Sequence, residues 1–459
     1  MSSGGGQGRC YPVRRDGTQR SQGEALIDRS SERTTGTDAQ ASTTEPPAGR
    51  GIYRGWPIAL IAFLSTGFTI GMSQYAFGAF VNPLEEEFGW SRAQINLSLS
   101  FGASTAVISP FIGGWMDRVG ARPVMVVSLA MVAAAFLLRA FMTELWQLYL
   151  FSFLAFAGFP GATIATAGRL VGIWFPQTRG RMMGIVTAGN NFGGLTMAPM
   201  AAALIVAFGW RWGYGTFGLV MLAVLVIAFV LVRDRPEDVA RESKKRFAPQ
   251  AEGGEAARRA AASGFDVRGA LRLPTFYFVT AGLVLGMYTY HIVLTQLYPH
   301  LESVGFSEGQ ASAGMMVVAG TGFASKLVFG RLSEWMTARY ATVLSLGIQA
   351  LGLVMLILVD GSVLAWGAAF LFGAGFGGFG ALVPLNMQES FGLRYFGSLL
   401  GLVNLVGVIP IVTGPLLAGI IFDNTGSYDL AFAITIGLFA AGALSMLVAR
   451  RPSALPQGA

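Results

Sequence analysis

This chain is short of the residues that soluble, disulfide-bonded and metal-dependent proteins rely on. Its one cysteine, Cys10, can form no internal disulfide, which leaves the redox compartment unreadable. Its two histidines, His291 and His300, are too few for a metal cluster. No nucleophile–base set or phosphate-binding loop accompanies them, so an enzyme is not expected and no cofactor is implied. Charged residues make up 12% of the chain, about half their share in an ordinary soluble domain. The net charge of +7 does not point to nucleic acid, because the basic residues sit in short connections rather than on one face.

What the chain has instead is apolar length. Hydrophobic residues make up 53% of it, and a chain this apolar has the lipid bilayer as its solvent. Twelve stretches are long enough to span, each needing about 20 residues. They cover roughly 56–81, 93–113, 123–141, 146–172, 182–207, 212–232, 274–299, 310–332, 341–359, 363–388, 397–421 and 428–449. The expected class is an all-α membrane protein. Residues 1–54 have no apolar run, so they read as a disordered tail, or as the product of a misassigned start codon, rather than a secretory signal.

The chain is also duplicated. Gly113-Gly114-Trp115-Met116-Asp117-Arg118-Val119-Gly120-Ala121-Arg122 returns 217 residues later as Gly330-Arg331-Leu332-Ser333-Glu334-Trp335-Met336-Thr337-Ala338-Arg339. Pro57 returns as Pro274, Gly184 as Gly401 and, nearly in register, Pro199 as Pro415. The expected organisation is two pseudo-symmetric six-helix bundles, 55–232 and 274–449. A linker, 233–273, joins them, with an interfacial helix around Ala256–Ala262, and a short tail, 450–459, completes the chain. Of the 32 Lys and Arg, only Arg92, Arg139 and Arg211 fall in the loops that would lie outside if the amino terminus is cytoplasmic. Both termini are therefore expected in the cytoplasm and the protein in the cell (inner) membrane.

The Gly113-x-x-x-Asp117-Arg118-x-Gly120-x-Arg122 phrase resembles the signature loop of the major facilitator superfamily, which helps latch the cytoplasmic side shut. Trp174-Phe175-Pro176-Gln177-Thr178-Arg179-Gly180-Arg181-Met182-Met183-Gly184 and Gly78-Ala79-Phe80-Val81-Asn82-Pro83-Leu84 are similar to motifs of its monocarboxylate and oxalate/formate branch. The resemblance implies the major facilitator fold and a carrier working by alternating access. It also implies gating roles for Asp117, Arg118, Arg122, Glu334 and Arg339; Glu389 with Arg394, at the end of the tenth span, would serve an equivalent purpose.

Ionisable groups inside spans are costly and usually functional. Lys326 lies in the eighth span four residues before Gly330, where the resembled branch carries a substrate-binding Arg, and an ammonium there would draw a carboxylate. Snorkelling to the interface is the alternative. Arg169, His291 with Tyr288, and the repeat partner of His291, Gln74 with Tyr75, are further candidates. Asn190, Asn191, Asn386 and Asn404 complete the polar inventory as ligands or as helix–helix glue. The proton-coupled members carry an Asp where this chain has Gly322, so a coupling proton would have to use His291 or Lys326 itself; exchange is the other route. The expected partner is a small carboxylate, handled by a monomer. The competing reading is a carrier for a larger, less charged compound, in drug efflux or vitamin uptake; a membrane sensor is a weaker third, since neither tail nor linker holds a foldable signalling domain.

Overall fold

In a bilayer each apolar run must close its own backbone hydrogen bonds, which selects helices. The computed structural model describes residues 54–234, 237, 258–358 and 364–450. The expected amino-terminal tail, the carboxy-terminal tail beyond Arg450 and most of the linker lie outside them. Of the interfacial helix expected at Ala256–Ala262, residues 258–262 are described and helical.

Among the described residues, eleven helices are long and apolar enough to cross a membrane. They are α1 (Gly55–Tyr75), α2 (Gln94–Val119), α3 (Ala121–Arg139), α4 (Leu145–Trp174), α5 (Arg179–Phe208), α6 (Trp210–Leu231), α7 (Pro274–Ser303), Glu308–Ile357, α10 (Leu364–Phe391), α11 (Phe396–Thr425) and α12 (Asp429–Val448). The long helix is two spans in series. Thr337 breaks it with φ 74° and ψ 151°, giving α8 (308–336) and α9 (338–357). Gly120 breaks the chain between α2 and α3 in the same way, with φ 94° and ψ 172°. The result is twelve spans arranged as two pseudo-symmetric six-helix bundles.

Both copies carry one irregularity that hydropathy does not reveal. A π-turn spans Gly71–Tyr75 at the end of α1, and another spans Thr289–Val293 inside α7. After the first, the chain continues as a separate helix, Phe77–Phe88, so α1 stops short of the limit at 81 that hydrophobicity suggests.

One cation is placed differently from expectation. Arg139 is not a loop residue: it ends α3 and is buried. Its Nη2 donates to Ser152 Oγ at 2.8 Å, and its guanidinium lies 5.1 Å from the Phe136 ring and 5.6 Å from the Tyr214 ring. The carbonyl ends of α3 and two aromatic faces favour the positive charge there.

Candidate functional site

The bundles meet along two seams, α2 against α11 and α5 against α8, and glycine allows the approach. A Cβ on Gly113 would overlap the Gly397 carbonyl, and one on Gly180 would overlap that of Gly330. Four residues on, Gly401 packs on the Ser109 carbonyl and Gly184 on the Lys326 carbonyl. These pairs are copies of one another at the 217-residue offset, so the seams are a duplicated device.

At the end where α2 turns into α3, acidic side chains close onto helix N-termini. Asp117 Oδ1 accepts from Gly397 N at 2.9 Å and Oδ2 from Ser398 N at 2.7 Å, both at the start of α11. Its repeat partner Glu334 accepts from Arg181 N at 2.9 Å, at the start of α5, and pairs with Arg181 Nε at 3.0 Å. Both bonds cross between bundles. Two more caps do not cross between bundles: Asp234, at the start of the linker, accepts from Arg122 N at 3.1 Å, and Glu389 from Ala338 N at 3.0 Å. Free N–H groups and the positive end of the helix dipole make each position favourable for an anion.

The other expected gate residues have partners closer to home. Arg122 donates to Phe229 O at 2.7 Å, within its own bundle. Arg339 bonds Tyr340 Oη at 2.6 Å and the Ala449 carbonyl, also within its bundle. Arg394 lies over the Tyr395 ring, and Arg118 is exposed. Arg169, a candidate ligand by sequence, instead has its Nη1 3.3 Å from Asp117 Oδ1. That places its charge with the cap on α11.

Deeper along the seam lies Lys326. It is 4% exposed, and its Nζ donates to Thr187 O at 3.1 Å and to Asn191 Oδ1, both on α5 of the other bundle. Asn191 Nδ2 in turn donates to Ala319 O at 2.9 Å. Among the described residues, no carboxylate pairs with the ammonium. The repeat partner of Lys326 is Ser109, which accepts from Asn404 Nδ2 at 3.0 Å across the other seam. The duplicated seam is thus symmetric in its glycines and in its acids, and asymmetric in charge at the level of Lys326. A buried cation held only by neutral groups is poorly compensated and would gain strongly from an incoming anion.

The remaining candidates divide. Gln74 is exposed, and Tyr75 is 53% exposed with its ring against Gly194 of α5. His291 is half-buried in its π-turn, its backbone against Gly414 of α11. Asn190 Oδ1 is buried and has no hydrogen-bond partner among the described residues. Tyr288 Oη bonds Thr413 Oγ1 at 2.7 Å, and Asn386 bonds Thr342 Oγ1 at 2.7 Å and Leu382 O at 2.9 Å, which ties each to its own bundle. Two residues escaped the reading of the sequence: Gln388, whose Nε2 crosses to Gly168 O at 2.9 Å, and Tyr290, neighbour of His291. A buried glutamine in an apolar helix is a visible signal; Tyr290 had none beyond its place in the polar phrase.

The family model described as Major Facilitator Superfamily matches residues 63–412. The chain is 28% identical to monocarboxylate transporter 11 of Homo sapiens, covering 91% of this chain and 87% of that one. It is 27% identical to a protein of Cupriavidus necator named as a probable sulfoacetate transporter, covering 79% of this chain and 86% of the relative. Among solved structures, the proton:xylose symporter XylE bound to 6-bromo-6-deoxy-D-glucose superposes with a TM-score of 0.68 at 15% identity. That alignment covers 86% of this chain and 96% of the symporter, and at such identity it establishes the fold alone.

Proposed function

We propose, since the chain belongs to the Major Facilitator Superfamily and is a multi-pass membrane transporter rather than an enzyme, that it carries a small organic anion. The cargo is a monocarboxylate or a compound of similar size and charge, moved by alternating access through proton symport or anion exchange. The observation that carries this reading is Lys326. It is buried at the seam between bundles, held by neutral groups, and present in only one copy of the repeat. An anion replacing Asn191 Oδ1 and Thr187 O would supply the missing charge, and the seam that holds the lysine is one of the two that must part. The names of the two relatives, for monocarboxylates and sulfoacetate, share that chemistry: one or two negative charges on a small skeleton.

The state described has the basic end closed. Excess positive charge at that end supports reading it as the cytoplasmic side of a cell inner membrane, the side on which both termini are proposed to lie. Asp117 and Glu334 then hold the cytoplasmic door. No carboxylate takes the place of Gly322, which lies against Phe376, so a coupling proton would ride on His291 or Lys326.

Proteoliposomes should accumulate lactate or pyruvate, and Lys326→Ala should abolish the uptake while Lys326→Arg retains part of it. Uptake unchanged in Lys326→Ala would remove the ammonium from the site. It would also favour the reading as a carrier of larger, less charged compounds.

A further inference from the structure

The connection from α10 to α11 runs only from Gly392 to Tyr395, too short to close all its own backbone hydrogen bonds. The end of the linker closes them instead. Phe265 N donates to Phe391 O at 3.0 Å, while Ser263 O accepts from Leu393 N at 3.1 Å and from Arg394 N at 3.2 Å. The two segments run antiparallel and meet at Gly264 and Gly392. Both glycines have positive φ, 147° and 81°. A Cβ on Gly264 would lie 2.7 Å from Phe391 O, and one on Gly392 would lie 2.4 Å from Ser263 O. The contact requires glycine on both sides.

The turn held in this way reaches the other bundle at three places. Leu393 is 2% exposed and fills the notch left by Gly172 of α4, where a Cβ would lie 2.7 Å from its Cδ2. Phe396 fills the notch at Gly168, about one helical turn away. Gly397 N and Ser398 N then meet the Asp117 carboxylate. The partners of residues 263–265, by contrast, all belong to the second bundle. So does the short helix that follows, Val267–Leu271, which Asp266 caps by accepting from Gly269 N at 3.0 Å. The segment travels with the bundle whose turn it holds.

Resting on the reading of Asp117 as a door, we infer that residues 263–265 are a strap that positions the α10–α11 turn for closure. With the strap bonded, Leu393 and Phe396 stand opposite the two α4 glycines, and the first N–H groups of α11 point at the Asp117 carboxylate. With the strap released, the turn has two free N–H groups and a free carbonyl, and it relaxes toward water. Closure then has to order the turn as well, so the closed end is populated less. Residues 263–265 act through Asp117 and α4, and their part in transport is positioning.

The test uses Met116→Cys in a Cys10→Ser protein, labelled with maleimide in detergent, because Met116 is fully buried against Gly397 while the seam is closed. Gly264→Ala puts a methyl against Phe391 O, and Phe265→Pro lacks the donating N–H. Each should speed labelling about fivefold, the typical worth of one hydrogen bond. Phe265→Leu keeps that N–H and should label at the parental rate. In an Asp117→Ala background, Gly264→Ala should gain less than it does alone, since the receptor it positions no longer has its acid. A full multiplicative gain there overturns the strap. So does labelling of Gly264→Ala and Phe265→Pro at the Phe265→Leu rate when Asp117→Ala is fast, and the door reading then stands. If Asp117→Ala is itself no faster than its parent, the door reading and this inference fall together.

Discussion

Thr337 occupies backbone angles that glycine alone adopts without cost, and it does so where the other copy of the repeat has Gly120. A β-branched residue held there stores about 1–3 kcal/mol. Thr337→Gly should therefore raise the thermal midpoint of the detergent-solubilised protein without altering uptake, as scanning fluorimetry would show. The reverse exchange, Gly120→Thr, should fail for two reasons: the same strain, and the Asp234 carboxylate, which fills the space a Cβ would need. Residue by residue, the sequence was unevenly legible. Lys326 stands out as a mid-span cation in any reading. Its partners Thr187 and Asn191 do not, because they lie 139 and 135 positions away and no local pattern encodes the pairing. Tyr290 was hidden by its π-turn: one extra residue shifts the helical phase, so a regular period cannot tell which of Tyr288, Tyr290 and His291 faces the path.

At the scale of elements, each of four helices, α3, α5, α9 and α11, begins under a carboxylate from elsewhere in the chain. Two of those carboxylates reach across the seam, so removing them should loosen the closed end without unfolding either bundle. In a Cys10→Ser protein with Met116→Cys as reporter, Asp117→Ala and Glu334→Ala should each speed maleimide labelling several-fold, and the double variant more than either. Met116 is fully buried against Gly397, so labelling reports the parting of the seam. The twelve spans were legible because a bilayer allows few alternatives to a run of about 20 apolar residues. The fused α8 and α9 were legible for another reason: the repeat placed a turn at Thr337 although the residue there is a poor turn former. Where α1 ends was not legible, since hydropathy continues smoothly through Gly71–Tyr75 into the next helix.

Across the whole molecule, the two ends are held by different chemistry. At the end away from the seam caps, Glu87 accepts from Trp210 Nε1 at 2.6 Å and pairs with Arg211, tying the helix after α1 to the start of α6. The Trp210 hydrogen bond first, and the Arg211 charge after it, hold the Glu87 carboxyl below its ordinary range. A depressed folded value means the contact stabilises above the unfolded value, about 4.3, and is lost as pH falls through the folded one. Glu87→Gln should thus lower the thermal midpoint slightly at pH 7, and the difference from wild type should shrink to nothing in strong acid. A gap that persists there would mean that the carboxylate charge is not what matters.

The two seam caps are unequal in a further respect. Asp117 rests on peptide N–H groups and on Arg169, whose side chain is 14% exposed, whereas Glu334 draws on Arg181, 45% exposed. Dissolved ions screen charges that water reaches and barely touch those it does not. Rising ionic strength should therefore slacken the α5–α8 door while leaving the α2–α11 door fast, so that in brine this carrier would swing on one hinge.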